Sequence, residues 1–237
     1  MRRPEDAFPD LYRRLTSDGY RSEDVAKAVE TTNRIVMLER LRRYVLQCTD
    51  CRFHQTCHYR VPGVGNSSSR FMIVGEGPGE DEDAWGQPLV GISGTLLSLI
   101  LEKLGVAREQ LYITNVMKCR VVDDAGRNKT PTSEETQPCR KFLHREFAYI
   151  QPYVVLALGK VAMQHFFPEQ RSISAVRGKA LAYEGAFVIP TWHPSYILRQ
   201  TGEELQRAKR EAWNDFQQAF RLYRQLRQKD ENRGETR

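Results

Sequence analysis

The chain has 237 residues, of which 40% are hydrophobic and 28% charged, with a formal net charge of +6 and a pI near 9.1. That length holds one sizeable core with room for appendages, and no stretch is long and apolar enough to span a bilayer. The basic balance favours a polyanionic partner mildly, and the amino-terminal MRRPEDAFPDLYRR has no apolar h-region, so a cytoplasmic protein without a secretory signal is expected.

Residues 1–47 read as a peripheral helical extension. Leu38, Leu41 and Val45 share one helical face, and Asp18-Gly19 is a turn that divides the region into at least two helices. Residues 48–70 read as a loop containing Cys48, Cys51 and Cys57. Phe71-Met72-Ile73-Val74 is a first strand with no polar face, as expected of a strand covered on both sides. It runs into Gly75-Glu76-Gly77-Pro78-Gly79, where residues without a Cβ let the backbone turn sharply or lie against a ligand. This loop matches neither GxxxxGK[ST] nor GxGxxG, which counts against a nucleotide cradle and so against a small-molecule nucleotide enzyme.

A helix is expected over 94–104, a second strand over 111–114 ending at Asn115, and a helix opened by the capping pair Thr132 and Glu135. A third strand over 153–158 stops at Gly159, and a short helix follows. A fourth strand over 187–192 runs into His193-Pro194-Ser195. A charged helix begins near Thr201 and ends about Leu226, leaving 228–237 as a disordered tail. Strands alternating with helices predict an α/β fold with a parallel sheet. Four core strands are counted, and their carboxyl ends bring Glu76, Asn115, Gly159 and His193 to one crevice.

An odd number of cysteines, five in all, argues against a disulfide framework and for metal or redox chemistry. One arrangement open at this point is zinc held by Cys48, Cys51, His54 and Cys57.

Taken together, GEGPGEDED at 75–83, GQPLVGISGTLL at 86–97, YITNVMKCR at 112–120, the Thr130-Pro131 pair and HPSYILR at 193–199 resemble the type-4 uracil-DNA glycosylases. The likeness runs in order from residue 48 to about 220. It implies a three-layer α/β/α sandwich around a four-stranded parallel sheet as the domain 48–227, with 1–47 as an addition. It also implies hydrolysis of the N-glycosidic bond of deoxyuridine in DNA, releasing uracil and leaving an abasic site, by a monomer acting in base-excision repair. By motif, Cys48, Cys51, Cys119 and Cys139 would hold a 4Fe–4S cluster, one thiolate per iron, leaving Cys57 spare.

The same resemblance gives roles in the crevice. His193 would meet the uracil O2, Asn115 would read O4 and N3–H, and the backbone about Glu76 and Gly77 would approach the pyrimidine. An acid should position the attacking water, with Glu76, Glu80, Glu82 and Asp83 as candidates, because Gly77 stands where type-1 enzymes carry an Asp. Leu89 stands where the family places a Phe against the base, which exchanges an aromatic stack for plain packing. Ser195, Ile197, Leu198 and Arg199 would lie on DNA, with Ile197 or Leu198 as a wedge and Arg199 on a phosphate. A basic KRRIH-like insertion, on which covalent trapping depends in a related group, is absent. The competing reading is an Fe–S protein of the same superfamily that binds nucleic acid with weak turnover or altered base specificity.

Overall fold

The computed structural model describes residues 9–19 and 21–235. Two helices come first, α1 (Pro9–Ser17) and α2 (Ser22–Leu46), divided at Asp18-Gly19 as expected. Residues 1–8 of the extension lie outside the described residues. Helix α2 buries Val25, Val29, Leu41 and Val45, so the extension is docked on the domain through an apolar stripe.

A six-stranded sheet forms the centre. Its strands are β1 (Val64–Gly65), β2 (Phe71–Gly75), β3 (Tyr112–Asn115), β4 (Val154–Leu158), β5 (Leu181–Tyr183) and β6 (Ala186–Thr191), in the spatial order β1-β3-β2-β4-β6-β5. The four expected strands are β2, β3, β4 and β6, all mutually parallel. The sheet is larger than four strands because β1 and β5 pair antiparallel at its two edges. Segments of two and three residues carry no readable alternation, so the sequence pattern passed over them.

Helices α3 (Glu80–Trp85), α4 (Ile92–Lys103), α5 (Ser133–Ile150), α6 (Gly159–Phe166), α7 (Ile173–Val176), α8 (Pro194–Leu198) and α9 (Gly202–Glu235) complete the chain, with one-turn 3₁₀ helices at 52–55 and 108–110. Successive strand residues point to opposite faces. Phe71 and Ile73 therefore join Leu97, Leu101, Phe216 and Phe220 on one side of the sheet. Met72 and Val74 join Leu143, Phe147, Val161 and Phe166 on the other. Thr132 opens α5 as predicted: its Oγ1 accepts from the Glu135 N–H at 3.2 Å, and the Glu135 carboxylate accepts from the Thr132 N–H at 3.0 Å. The expected tail differs, since 228–235 continues α9 as helix. High charge favoured solvent over a core there, and solvent exposure does not prevent a helix from continuing.

From β2 the chain crosses to β3 on one side, and from β4 it crosses to β6 on the other. The topological switch point therefore lies between β2 and β4, where a crevice opens beyond the carboxyl ends.

Candidate active site

The loop after β2 supplies Glu76, β3 ends on Asn115, α6 begins at Gly159, and β6 runs into His193. All four stand at the same sheet edge. Gly75 and Asn115 are register partners, and the Asn115 side chain lies across Gly75, where a Cβ would come within 2.3 Å of Oδ1. A side chain there would have to displace the Asn115 amide beside it. Asn115 is 1% exposed, yet neither its Oδ1 nor its Nδ2 has a hydrogen-bond partner among the described residues. A buried amide left without partners costs roughly 1–3 kcal/mol per group.

His193 caps α8. Its Nδ1 accepts from the Ser195 N–H at 3.2 Å and lies 2.8 Å from Ser195 Oγ. An Nδ1 that accepts leaves the proton of a neutral ring on Nε2. Burial, helped by the positive charge of Arg199, lowers the imidazole pKa to about 4, so the ring is neutral at physiological pH. Gly159 backs it with φ +87°, and a Cβ there would meet His193 Cβ at 3.0 Å.

The four acids separate by their partners. Glu82 is a brace: its Oε1 accepts from the N–H groups of Val90 and Gly91, both at 2.9 Å, and its Oε2 from Gly79 N–H at 3.0 Å. It thereby ties the glycine loop to the loop carrying Leu89. Asp83 accepts from the His58 and Tyr59 N–H groups, and Glu80 pairs with Arg120 at 3.1 Å. The Glu76 carboxylate makes no hydrogen bond to another described residue, while its backbone carbonyl accepts from the Met117 N–H at 2.9 Å. Burial raises its carboxyl pKa to about 7, against the opposing pull of Arg199.

Leu89 is 3% exposed, has φ +53° and belongs to the apolar core with Leu97 and Leu101. Its Cδ1 lies 3.7 Å from where a Gly75 Cβ would be, so it stands behind the crevice floor. A branched residue at positive φ is an uncommon, strained conformation. Of the two wedge candidates, Ile197 is 2% exposed and packs on Ala208 and Ala212, whereas Leu198 is 46% exposed. Ile197 is therefore corrected to a core residue, because the short helix α8 turns its side chain inward against α9. Arg199 stays exposed, and Ser195 faces His193.

Beneath the crevice lies a second polar group that the sequence reading did not single out. Lys118 Nζ donates to both Glu146 oxygens, at 2.8 and 3.0 Å, to Thr114 Oγ1 at 2.6 Å and to the Asn115 carbonyl at 2.9 Å. Lys118 and Glu146 are each 1% exposed. The ammonium thus holds the backbone of the residue whose side chain stands free. A lysine next to a cysteine in NVMKCR was the only signal, and it reads as surface charge until α5 is packed over it.

Cys119 and Cys139 are buried in a cluster walled by Leu41, Val45, Phe53, Met117 and Phe142, with Cys48, Cys51 and Cys57 packed at its edge. Hydrogen bonding joins Cys51 to Cys139 and Cys57 to Cys119, lowering the Cys51 thiol to about 6 and also lowering Cys57. Cys139 and Cys119 are raised by the same bonds and by burial. Cys48 hydrogen-bonds Asp50 instead, and burial raises its thiol. Among the described residues no three Cys, His, Asp or Glu side chains close on one point. Five sulfurs with an apolar wall fit the donor chemistry of an iron–sulfur cluster. Cys51 lies against Cys139 of α5 and Cys57 against Cys119 beyond β3, and His54 Nδ1 is 2.6 Å from the Cys51 carbonyl.

Residues 62–217 match the model of the uracil DNA glycosylase superfamily. The chain is 43% identical over 173 residues to a type-4 uracil-DNA glycosylase of Thermotoga maritima, covering 72% of this chain and 88% of that one. It is 40% identical over 169 residues to the type-4 uracil-DNA glycosylase of Archaeoglobus fulgidus, covering 68% and 83%. It is 36% identical over 170 residues to that of Sulfurisphaera tokodaii, covering 68% and 76%.

Proposed function

This chain belongs to the type-4 branch of the uracil-DNA glycosylase superfamily, and from that premise we propose which of its residues carry the excision. The protein is a DNA-repair hydrolase that cleaves the N-glycosidic bond of deoxyuridine. The target nucleotide must leave the stack and enter the crevice, at a cost of a few kcal/mol. The glycosidic bond then lengthens, positive charge grows on the sugar and negative charge on the departing uracil.

The observation that carries the assignment is the convergence of three groups with unspent bonding capacity. Asn115 has a free amide, whose NH₂ donates to O4 and whose carbonyl accepts from N3–H. Neutral His193, held through Nδ1 by Ser195, offers Nε2–H to the uracil O2, where the anion develops. A donor aimed at charge that appears in the transition state is the kind that accelerates the step. The Glu76 side chain, free of partners among the described residues, orients the attacking water toward C1′ and, as a carboxylate, faces the cationic sugar. Gly77 leaves the backbone open to the pyrimidine edge, and Leu89 supports the floor. Leu198 fills the gap left by the flipped base, and Arg199 meets a flanking phosphate while acting on Glu76 and His193 through its charge.

The residue set suits a 4Fe–4S cluster on Cys48, Cys51, Cys119 and Cys139, with Cys57 at hand beside Cys119. Such a cluster would supply a covalent tie between the start of the domain, the end of β3 and helix α5. The enzyme works as a monomer on uracil-containing DNA. Among the described residues no helix is long and apolar enough to cross a membrane.

The test is single-turnover release of uracil from single- and double-stranded uracil DNA. Asn115→Ala should lose both rate and discrimination among bases while retaining its melting temperature. Binding of DNA by the wild type without uracil release would favour the competing reading of a superfamily member without turnover.

A further inference from the structure

Beyond the crevice, the start of α5 opens on a separate cavity of about 120 Å³ whose lining includes Thr132, Ser133, Arg140, Gln164, His165 and Arg171. It is bounded by Val116, next to Asn115, and by Val161, two residues past Gly159, so it lies close to the carboxyl edge that carries the active site.

Three independent features give it one chemical preference. The first is the helix end. Helix α5 is 18 residues long, and the N–H groups of its first turn have no intrahelical acceptors. The Glu135 N–H is taken by Thr132 Oγ1 and the Thr136 N–H by the Thr132 carbonyl. Those of Ser133 and Glu134 remain at the positive end of the helix dipole. The second is uncompensated cationic charge. The Arg140 and Arg171 side chains make no ion pair or hydrogen bond among the described residues, the Arg140 Nε is buried without a partner there, and no carboxylate is among the residues lining the cavity. Of the two acids in the first turn, Glu135 is engaged by Lys129 and Arg52, and Glu134 is exposed outside the lining. The third is His165, 6% exposed, whose Nδ1 has no partner. Burial, His144 and Arg140 lower its pKa to about 3, so it is neutral and has one N–H to donate.

We propose that this cavity is a phosphate-binding site, in which a phosphoryl group accepts from the α5 N-terminus, Arg140, Arg171 and the His165 ring. Helix N-termini with convergent donors are established anion sites, and arginine forks match phosphate oxygens. The phosphoryl group can come from the backbone of the bound DNA strand or from free phosphate in solution. The site shares no residue with the assigned crevice, so its failure leaves the glycosylase assignment standing.

Two measurements on the full-length protein separate the outcomes, using Arg140→Gln and the exposed Arg171→Gln, which keeps the test open should Arg140→Gln not fold. In the first, inorganic phosphate is compared with chloride at matched ionic strength. Phosphate should raise the melting temperature of the wild type and shift the His165 ring resonances, and both effects should shrink in either variant. In the second, affinity for a uracil-containing duplex is measured against salt. If the site takes a backbone phosphate, the slope of log affinity on log salt should fall by about 0.9 in each variant. A phosphate response with an unchanged DNA slope would assign the site to free phosphate. No phosphate response together with an unchanged slope in a folded variant would overturn the proposal.

Discussion

Two neighbouring residues of β3 meet opposite treatment. The Thr114 hydroxyl is fully engaged, donating to Glu146 at 2.9 Å and accepting from Lys118. Asn115, equally buried, has a side chain with no hydrogen-bond partner among the described residues. The strand's pleat sends them to opposite faces, one toward α5 and one toward the crevice. The difference teaches how to tell a polar group that serves the fold from one that serves a ligand: the first has its bonds closed in the free protein, and the second keeps them open at an energetic cost. The acids repeat the contrast, since Glu82 and Asp83 are saturated by backbone N–H groups and Glu76 is bare. The unpaired atoms at Arg140 and His165 fall on the open side of the same division.

Mutations should divide along that line. The largest effect expected is on stability, at the closed network. Glu146→Ala leaves the Lys118 ammonium buried and unpaired, which should cost about 3–5 kcal/mol, read by denaturant unfolding. A loss below about 1 kcal/mol would place the network in contact with water and dissolve the contrast.

His193→Ala should do the reverse. Stability and DNA affinity should stay close to wild type while the single-turnover rate falls about 10²–10³-fold, the usual effect of losing one donor to a developing anion. A folded variant as fast as wild type would remove His193 from the mechanism.

Glu76 gives the comparison a pH axis. As the water-orienting carboxylate, its raised pKa predicts a rate that climbs with pH and levels off above about 7. His193, already neutral above about pH 4, should add nothing over that range. The same shift predicts a stability trend of fixed sign. The folded carboxyl binds its proton more tightly than the unfolded one, so between the ordinary carboxylate range and about 7 the native state holds the extra proton. Stability should therefore fall as pH rises through that window. Glu76→Gln should flatten both curves, and an unaltered rate profile would transfer the role to another acid.

The cysteines test whether closed thiol pairs are the working arrangement. Purified protein should be brown. Cys119→Ser should lose the visible absorption and iron, and Cys48→Ser should do the same, whereas Cys57→Ser should keep both. Because Cys57 rather than Cys48 touches Cys119 here, the opposite result for those two would give Cys57 the fourth corner.

The smallest effect concerns Leu89. Leu89→Phe adds an aromatic face worth about 1 kcal/mol against a base, but it also enlarges a core position, where overpacking costs roughly 1–3 kcal/mol. Tighter uracil binding with a lower melting temperature is expected. A lower melting temperature without a gain in binding would make Leu89 purely a core residue.

Much of this was legible beforehand. The parallel strands announced themselves as short apolar runs, α5 by its capping pair, and the crevice by polar residues placed where strands stop. Edge strands of two and three residues and the helical continuation through 228–235 were not, because each depends on a neighbour or on helix propagation rather than on a local pattern. The phosphate-site residues were equally silent, as Arg140, His165 and Arg171 lie on separate segments with no shared spacing.

The sequence by itself determined the βα alternation, the sheet edge on which Glu76, Asn115 and His193 meet, and the family, since motif order and strand ends are properties of the chain. Only the tertiary structure decided which acid is bare, that Ser195 fixes the His193 tautomer, that Ile197 is core while Leu198 is surface, and that Lys118 is sealed beneath Asn115. Each of those depends on what lies across from a side chain. Partners, burial and local dielectric are set by segments distant in sequence, and those quantities separate a reactive carboxylate or imidazole from an inert one.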